Sequence, residues 1–440
     1  MKNSNQVFLV LVLFLILNIQ SFAQLMISEV GTLPEPVANN AVCEGFIDGV
    51  PYLFSFAGID STKTFSGTHL KSFRINLETG DSERIADLPG DQGLLGVGAS
   101  RIGNIIYIIG GYTANIDGTE VSSDKVRRYD IESNVFLDDA ADLLVATDDH
   151  VQAVWRDSLL YVITGWSNST NIRFIQIYNP NLDTWTNGTF LPNEVSYLSF
   201  GASGTFVNDT IYYYGGARSE GSFGIQNGLR KGVINPDDPT EIEWSISIPD
   251  ANLNGYRMAS TTIGDEVHWI GGSNNTYNFD GIAYDGSGGV PPSNQVISLN
   301  TTTNTFTRVL YEDLPMDLRG IANVSGTVKY IAGGMLSNQT VSDKVLKLEW
   351  QNESTGADYK PADNLEISIY PNPTSDSINI LYQGRGTIES YTLYDSHGQV
   401  IQFGGIKNNI SVKDLPNGVY HLELKLETGK KYLEKVNIRK

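Results

Sequence analysis

The sequence predicts an all-β protein: a six-bladed β-propeller followed by a small C-terminal β-sandwich. Three observations carry that reading. A short hydrophobic strand ending in Gly-Gly, or a near variant, recurs six times. Each recurrence sits among other short alternating segments separated by turn residues. A separate run of alternating strands then begins after residue 363.

The recurring strand runs Tyr52 to Gly58, Ile105 to Gly111, Leu159 to Gly165, Thr210 to Gly216, Glu266 to Gly272 and Val328 to Gly334. Its closing glycines are 53, 54, 51, 56 and 62 residues apart. A strand of small residues precedes it, such as Gly96 to Ser100 or Met258 to Thr262, reversed at a turn such as Asp157-Ser158 or Ser325-Gly326. A third strand follows, such as Lys125 to Ile131, Phe174 to Tyr178 or Lys344 to Trp350, and a fourth is marked by Trp185, Trp244 or Phe306. Four short strands with turn punctuation make one blade, and wedge-shaped blades put the small-residue strand nearest the axis. The sixth unit lacks a fourth strand after Trp350. Met26 to Pro34 resembles the fourth strands of other units, including Ser82 to Pro89, so residues 25–34 are expected to complete the last blade. Such a clasp removes an exposed edge.

The flanks set the compartment. Lys2 precedes an unbroken apolar run from Val7 to Leu17, and Ser21-Phe22-Ala23 offers small residues on either side of one position. Eleven apolar residues are too few for a membrane-spanning helix, so residues 1–23 read as a cleaved signal peptide. No later segment is apolar enough to cross a membrane as a helix. Cys43 is the only cysteine, so an intramolecular disulfide is excluded, and the propeller must rely on a large core. Residues 24–363 carry 20 basic and 42 acidic side chains, against nine and eight in 364–440. A body this acidic repels nucleic acid.

The paired glycines, the tyrosine within that strand and the downstream aromatic resemble kelch repeats over roughly residues 25–350, with Ala57-Gly58 and Thr164-Gly165 replacing the pair in blades one and three. Residues 351–363 are polar and unpatterned, a linker. Residues 364–440 then resemble the type A C-terminal sorting domain of the type IX secretion system. The matching residues are Tyr370-Pro371-Asn372-Pro373-Thr374, Leu393 to Gly398, Leu415 to Tyr420 with Gly418, and Lys435 to Ile438. This resemblance implies a Bacteroidota-type cell, the type IX machinery as a partner, and delivery through the periplasm to the outer surface or the medium.

Little chemistry is written in motifs. A copper site on such a propeller needs a Tyr–Cys cross-link and two histidines, and the five histidines are scattered. Asp237-Asp238 and Asp280 to Asp285 lack an EF-hand ligand order and read as solvated loops. No cofactor or metal is expected. Repeat alignment is more informative. Counting 15 residues back from the second glycine gives Gly96, His150, Gly201, Arg257 and Arg319 in blades two to six, with the blade-one equivalent near Val42. The residues after the glycine strands, including Tyr112, Trp166 and Arg218, are expected at the same mouth. Aromatic and basic groups around a concave opening suit a glycan or an anionic ligand, and the competing reading pairs the arginines with Asp148, Asp149 or Asp317. The functional expectation is an exported, non-enzymatic binding module for a glycan or protein. One alternative is an epimerase or mutarotase similar to secreted kelch sialate epimerases, using His150 with Asp148 or Asp149. Another is a structural adhesin.

Overall fold

The structure is a computed structural model describing residues 24–219, 222–249, 253–351, 367–370, 374–382, 388–395, 399–405, 409–426 and 431–440. The expected leader 1–23, nearly all of the linker 351–363, and Pro371, Asn372 and Pro373 lie outside the described residues. The chain divides into two compact units, Met1–Glu353 and Ser354–Lys440.

Among the described residues the first unit holds six antiparallel blade sheets, each led by an inner strand next to the axis, and a two-stranded ribbon of Trp166–Ser167 with Thr170–Asn171. Blade one is typical: Ala41–Ile47, Val50–Ile59, Thr68–Asn76 and Ser82–Ile85 pair in that order. The inner strands of blades two to five are Leu95–Ile102, Val151–Trp155, Ser203–Val207 and Ala259–Ile263. In blade six the inner strand shrinks to Ala322–Asn323, and the outermost strand is the N-terminal segment Gln24–Thr32. That segment runs antiparallel to Lys344–Gln351, with Leu25 opposite Trp350 and Ile27 opposite Leu348. Apolar clusters fill the gaps between neighbouring blades: Phe54, Phe56, Ile106 and Tyr129 pack between blades one and two, and Tyr161, Ile163, Ile211 and Tyr213 between three and four.

The glycine pair has a specific task. In every blade the amide of the second residue (Gly58, Gly111, Gly165, Gly216, Gly272, Gly334) donates to a carbonyl of the next blade, at 2.8–3.1 Å. The acceptors are Leu94, Thr147, Ser199, Gly255, Pro315 and Val37. That contact brings the first residue of the pair against the neighbour. A Cβ on Gly215 would stand 2.1 Å from the Gly255 carbonyl oxygen, at a φ of +74°. Where Thr164 replaces the first glycine, its Oγ1 accepts from the Ser199 amide at 3.1 Å and its one proton lies within reach of the Ile172 and Ser199 carbonyls, each 3.0 Å away, so the close approach becomes a hydrogen bond.

The second unit contains two sheets. One is Ile367–Tyr370, Ser377–Tyr382 and Asn409–Ser411, and the other is ordered Val400–Gly405, Ile388–Tyr394, Gly418–Leu426, Lys431–Ile438. Ile378 and Ile410 from the first and Leu393, Leu422 and Val436 from the second share one core. Of the sorting-motif residues, Tyr370 ends its strand, Gly418 begins another, and the Tyr420 hydroxyl donates to the Pro416 carbonyl at 3.1 Å.

Candidate functional site

Six residues with left-handed backbone mark one level of the propeller: Asn39, Gly96, Asp149, Gly201, Arg257 and Asp317, with φ between +48° and +65°. They are joined from blade to blade. Asp149 N donates to Gly96 O, Gly201 N to Asp149 O, Arg257 N to Gly201 O, and Leu318 N to Arg257 O. Asn39 N donates to Asp317 O, and Asn39 Oδ1 accepts from Gly96 N, so the belt runs through all six blades.

This belt corrects the repeat alignment. The expected members His150, Arg319 and Val42 give way to Asp149, Asp317 and Asn39. The belt position precedes the second glycine by 15 residues in blades two, four and five, but by 16, 17 and 19 in blades three, six and one. Hairpins of unequal length defeat a fixed count. Gly96, Gly201 and Arg257 stand at the level that the sequence indicated.

The arginines are paired. Arg257, with a side chain only 1% exposed, donates from Nη2 to Asp149 Oδ2 at 2.8 Å and from Nη1 to Asp317 Oδ1 at 3.1 Å. Its guanidinium also lies 5.1 Å and 5.4 Å from the ring centroids of Tyr256 and Tyr277. Arg319 Nη1 meets Asp149 Oδ1 at 2.7 Å, and Asn39 Nδ2 donates to Asp317 Oδ1 at 2.9 Å. Burial alone would raise the Asp149 carboxyl, but Arg257 and Arg319 outweigh it and hold the group below its ordinary range. Burial pushes Asp317 up against the pull of Arg257. Asp148, bonded to the Ser122 hydroxyl, is pushed well up by burial and then by the charge of Asp149. Burial lowers His150 to about 4, so its imidazole is neutral at pH 7. Arg257 thus bridges Asp149 and Asp317 while Arg319 meets Asp149, so each cation in this network has a carboxyl partner.

Above the belt the mouth is filled. The apolar cluster there takes Ala38, Leu95, Phe200, Tyr256 and Met316 from the segments entering the inner strands. The loop between the second and third strands of blade five adds Tyr277, Phe279, Ala283 and Val290. Tyr112 is buried in this cluster and Trp166 packs against it, edge-on to Phe200 and Phe223. Arg218 is exposed, beside Gly224, and donates its amide to that residue's carbonyl.

Below the belt the axis is open. A cavity of about 300 Å³ is lined by the inner strands of all six blades. His150 and Arg319 stand at its buried end, while Asp157 and Asn323 are exposed at the face where the inner strands turn into the second strands. Small residues such as Ala99, Ala153, Gly204 and Gly320 form much of the wall. Its charged pair is Arg101 and Glu44, 3.4 Å apart, with Arg101 over the Phe46 ring. Glu44 also accepts from the Asn323 amide at 2.9 Å. Sequence reasoning missed this wall because its residues are small and polar. The signal was their place in the strand before each glycine pair.

The remaining candidates resolve locally. Among the described residues no three His, Cys, Asp or Glu side chains converge as metal ligands. Asp238, Asp280 and Asp285 accept from amides two residues ahead, capping their own turns. Cys43 is buried, and burial pushes its thiol well up.

Comparison with known proteins agrees with both units. Residues 368–439 match the secretion system C-terminal sorting domain, and residues 94–137, which span blade two, match the Kelch motif. No curated protein matches the chain. A solved structure described as "Structure of YjhT" aligns with a TM-score of 0.57 at 13% identity, covering 72% of this chain and 97% of that one. Likeness at that identity shows the shared fold. The chain therefore joins a kelch-type propeller to a type IX sorting domain, the make-up of an exported propeller.

Proposed function

We propose that the propeller is an exported binding module for a glycan or protein ligand, and that the axial cavity is its binding site. One observation carries this reading. Glu44, Ser100, Gln152, Thr205, Ser260 and Asn323, one polar residue from each blade and none of them fully buried, line the one axial cavity. A concave wall that carries a few polar groups among small residues suits a bound polar molecule. A purely structural spacer gives no reason for such a wall. Within this reading His150 and Arg319 contact the ligand. Arg257, Tyr112 and Trp166 hold the closed mouth, while Arg218 lies outside the cavity. An epimerase needs an acid and a base in one pocket. Burial makes His150 a weak base, and neighbouring Asp149 is held by two arginines, which favours binding over catalysis by this pair. The sorting domain would deliver the module to the cell surface or the medium.

The test is a glycan array probed with the purified chain and with Arg101→Ala. Saccharide binding that the substitution weakens, with folding intact, supports the proposal. Binding that it leaves unchanged places the site elsewhere.

A further inference from the structure

The axial cavity is closed at one end by side chains that reach across the propeller. In a ring of six, blade three faces blade six. Arg319 of blade six meets Asp149 of blade three directly, Nη1 to Oδ1 at 2.7 Å. Arg257 of blade five bridges the same Asp149 and Asp317 of blade six, at 2.8 and 3.1 Å. All four side chains are at most 4% exposed, so the cluster closes the axis. Phe200, Tyr256 and Tyr277 lie above it and are themselves buried. Of the residues lining the cavity only Asp157 and Asn323 are exposed, both at the opposite end, where the inner strands turn into the second strands. The cavity is blind.

We infer that this cavity takes the end of a chain and not its middle: the terminal residue of a glycan, entering from the hairpin face. A polymer held by an internal residue must leave the site in two directions, and a blind cavity provides one exit. A volume of about 300 Å³ is at the lower end of ligand pockets, which limits the part that enters to a single sugar residue. A peptide end is the poorer occupant. It carries a full charge at neutral pH, and the charges set within the wall, Glu44 and Arg101, already face each other at 3.4 Å. The terminus would lose its water without gaining a free counter-ion there. Ser100, Thr205 and Ser260 are uncharged, partly exposed hydrogen-bonding residues of the wall and suit sugar hydroxyls. This inference rests on the axial-binding reading above and narrows it.

The experiment is a glycan array built from matched pairs, in which the same residue ends one chain and is capped by one further sugar in the other. The purified chain is applied alone and with the free monosaccharide of each terminal type as competitor. The glycans bound are expected to share their outermost residue. Capping should weaken binding by about tenfold or more, and the matching free monosaccharide should compete. Ser100→Tyr and Ser260→Tyr, which fill the wall from blades two and five, should each abolish binding while keeping the parent melting temperature. Equal binding of capped and uncapped chains, lost in the tyrosine variants, would overturn the inference and leave the axial site standing. Folded tyrosine variants that bind as the parent does would overturn the axial reading itself, as would a blank array.

Discussion

Asn39 and Asp317, 278 positions apart in the chain, share two hydrogen bonds: the Asn39 amide donates to the Asp317 carbonyl at 3.2 Å, and its Nδ2 donates to Asp317 Oδ1 at 2.9 Å. The pair joins the start of blade one to the start of blade six. It does at the axis what pairing of Gln24–Thr32 with Lys344–Gln351 does at the rim. Asn39→Ala removes both side-chain contacts, including acceptance from the Gly96 amide, and puts alanine at a φ of +54°. A loss of about 1–3 kcal/mol is expected for the buried groups left unpaired, read as a lower denaturation midpoint. Deleting residues 24–32 should lower the midpoint further.

Arg257 is the charge on which the axial network depends. Replacing it with Met leaves Asp149 held by Arg319 alone and Asp317 without its cation, both buried. Breaking a buried pair from one side costs about 3–5 kcal/mol. Arg257→Met combined with Asp317→Asn should recover part of that loss, because the orphaned charge is gone. Urea unfolding of the single and double variants measures the difference.

Acidification should destabilise the propeller in a defined window. Burial lowers His268 from 6.5 to about 4, with Nδ1 2.7 Å from Ser298 Oγ and the ring beside Trp350. Between those values the unfolded chain binds a proton that the folded chain refuses, so stability present above pH 6.5 is lost as pH falls toward 4. The shift amounts to at most about 3 kcal/mol, and His150 acts in the same direction. His268→Gln should flatten the pH dependence of the melting temperature between pH 6.5 and 4. An unchanged slope would refute this assignment.

Glycine substitutions separate backbone strain from blade contact. Gly215→Ala meets the Gly255 carbonyl at 2.1 Å, whereas Gly264→Ala, at a φ of +57°, meets nothing within 4 Å. The second substitution should cost only the left-handed penalty of about 1–2 kcal/mol. The first should cost distinctly more, because blades four and five must part. Thermal melts of the two variants compare them directly.

Removing residues 354–440 should leave a folded propeller that stays in the periplasm. The match to a secretion sorting domain and the separate core of that unit motivate the test. Cell fractionation and circular dichroism of the truncated chain read the two outcomes independently.

The propeller was legible because the constraint that builds it is local. A backbone that must pass within hydrogen-bonding distance of its neighbour tolerates few residues, and the glycine pair records this six times. The belt was harder to read. Its shared property is a left-handed φ, which Asn39, Asp149, Arg257 and Asp317 adopt alongside Gly96 and Gly201, and residue type alone does not reveal it in an arginine. Loop lengths then displaced the count in three blades. The closed mouth left one trace in the sequence, the 62-residue spacing after blade five. Those added residues hold Tyr277 and Phe279, but nothing local says that a loop will fold inward over the axis. The cavity chemistry depends on residues from six separate strands, so only their assembly shows it.

The N-terminal strand also sets the order in which the molecule can be completed. A chain threaded out with its N-terminus first exposes Gln24–Thr32 early, yet the partner Lys344–Gln351 arrives only after five blades have emerged. Until then the outer strand of blade six has no partner and the ring has a gap. Joining ends this far apart in sequence makes the final step slow relative to forming each hairpin. Closure of the ring is thereby the last event of folding, and it waits on the far end of the propeller sequence.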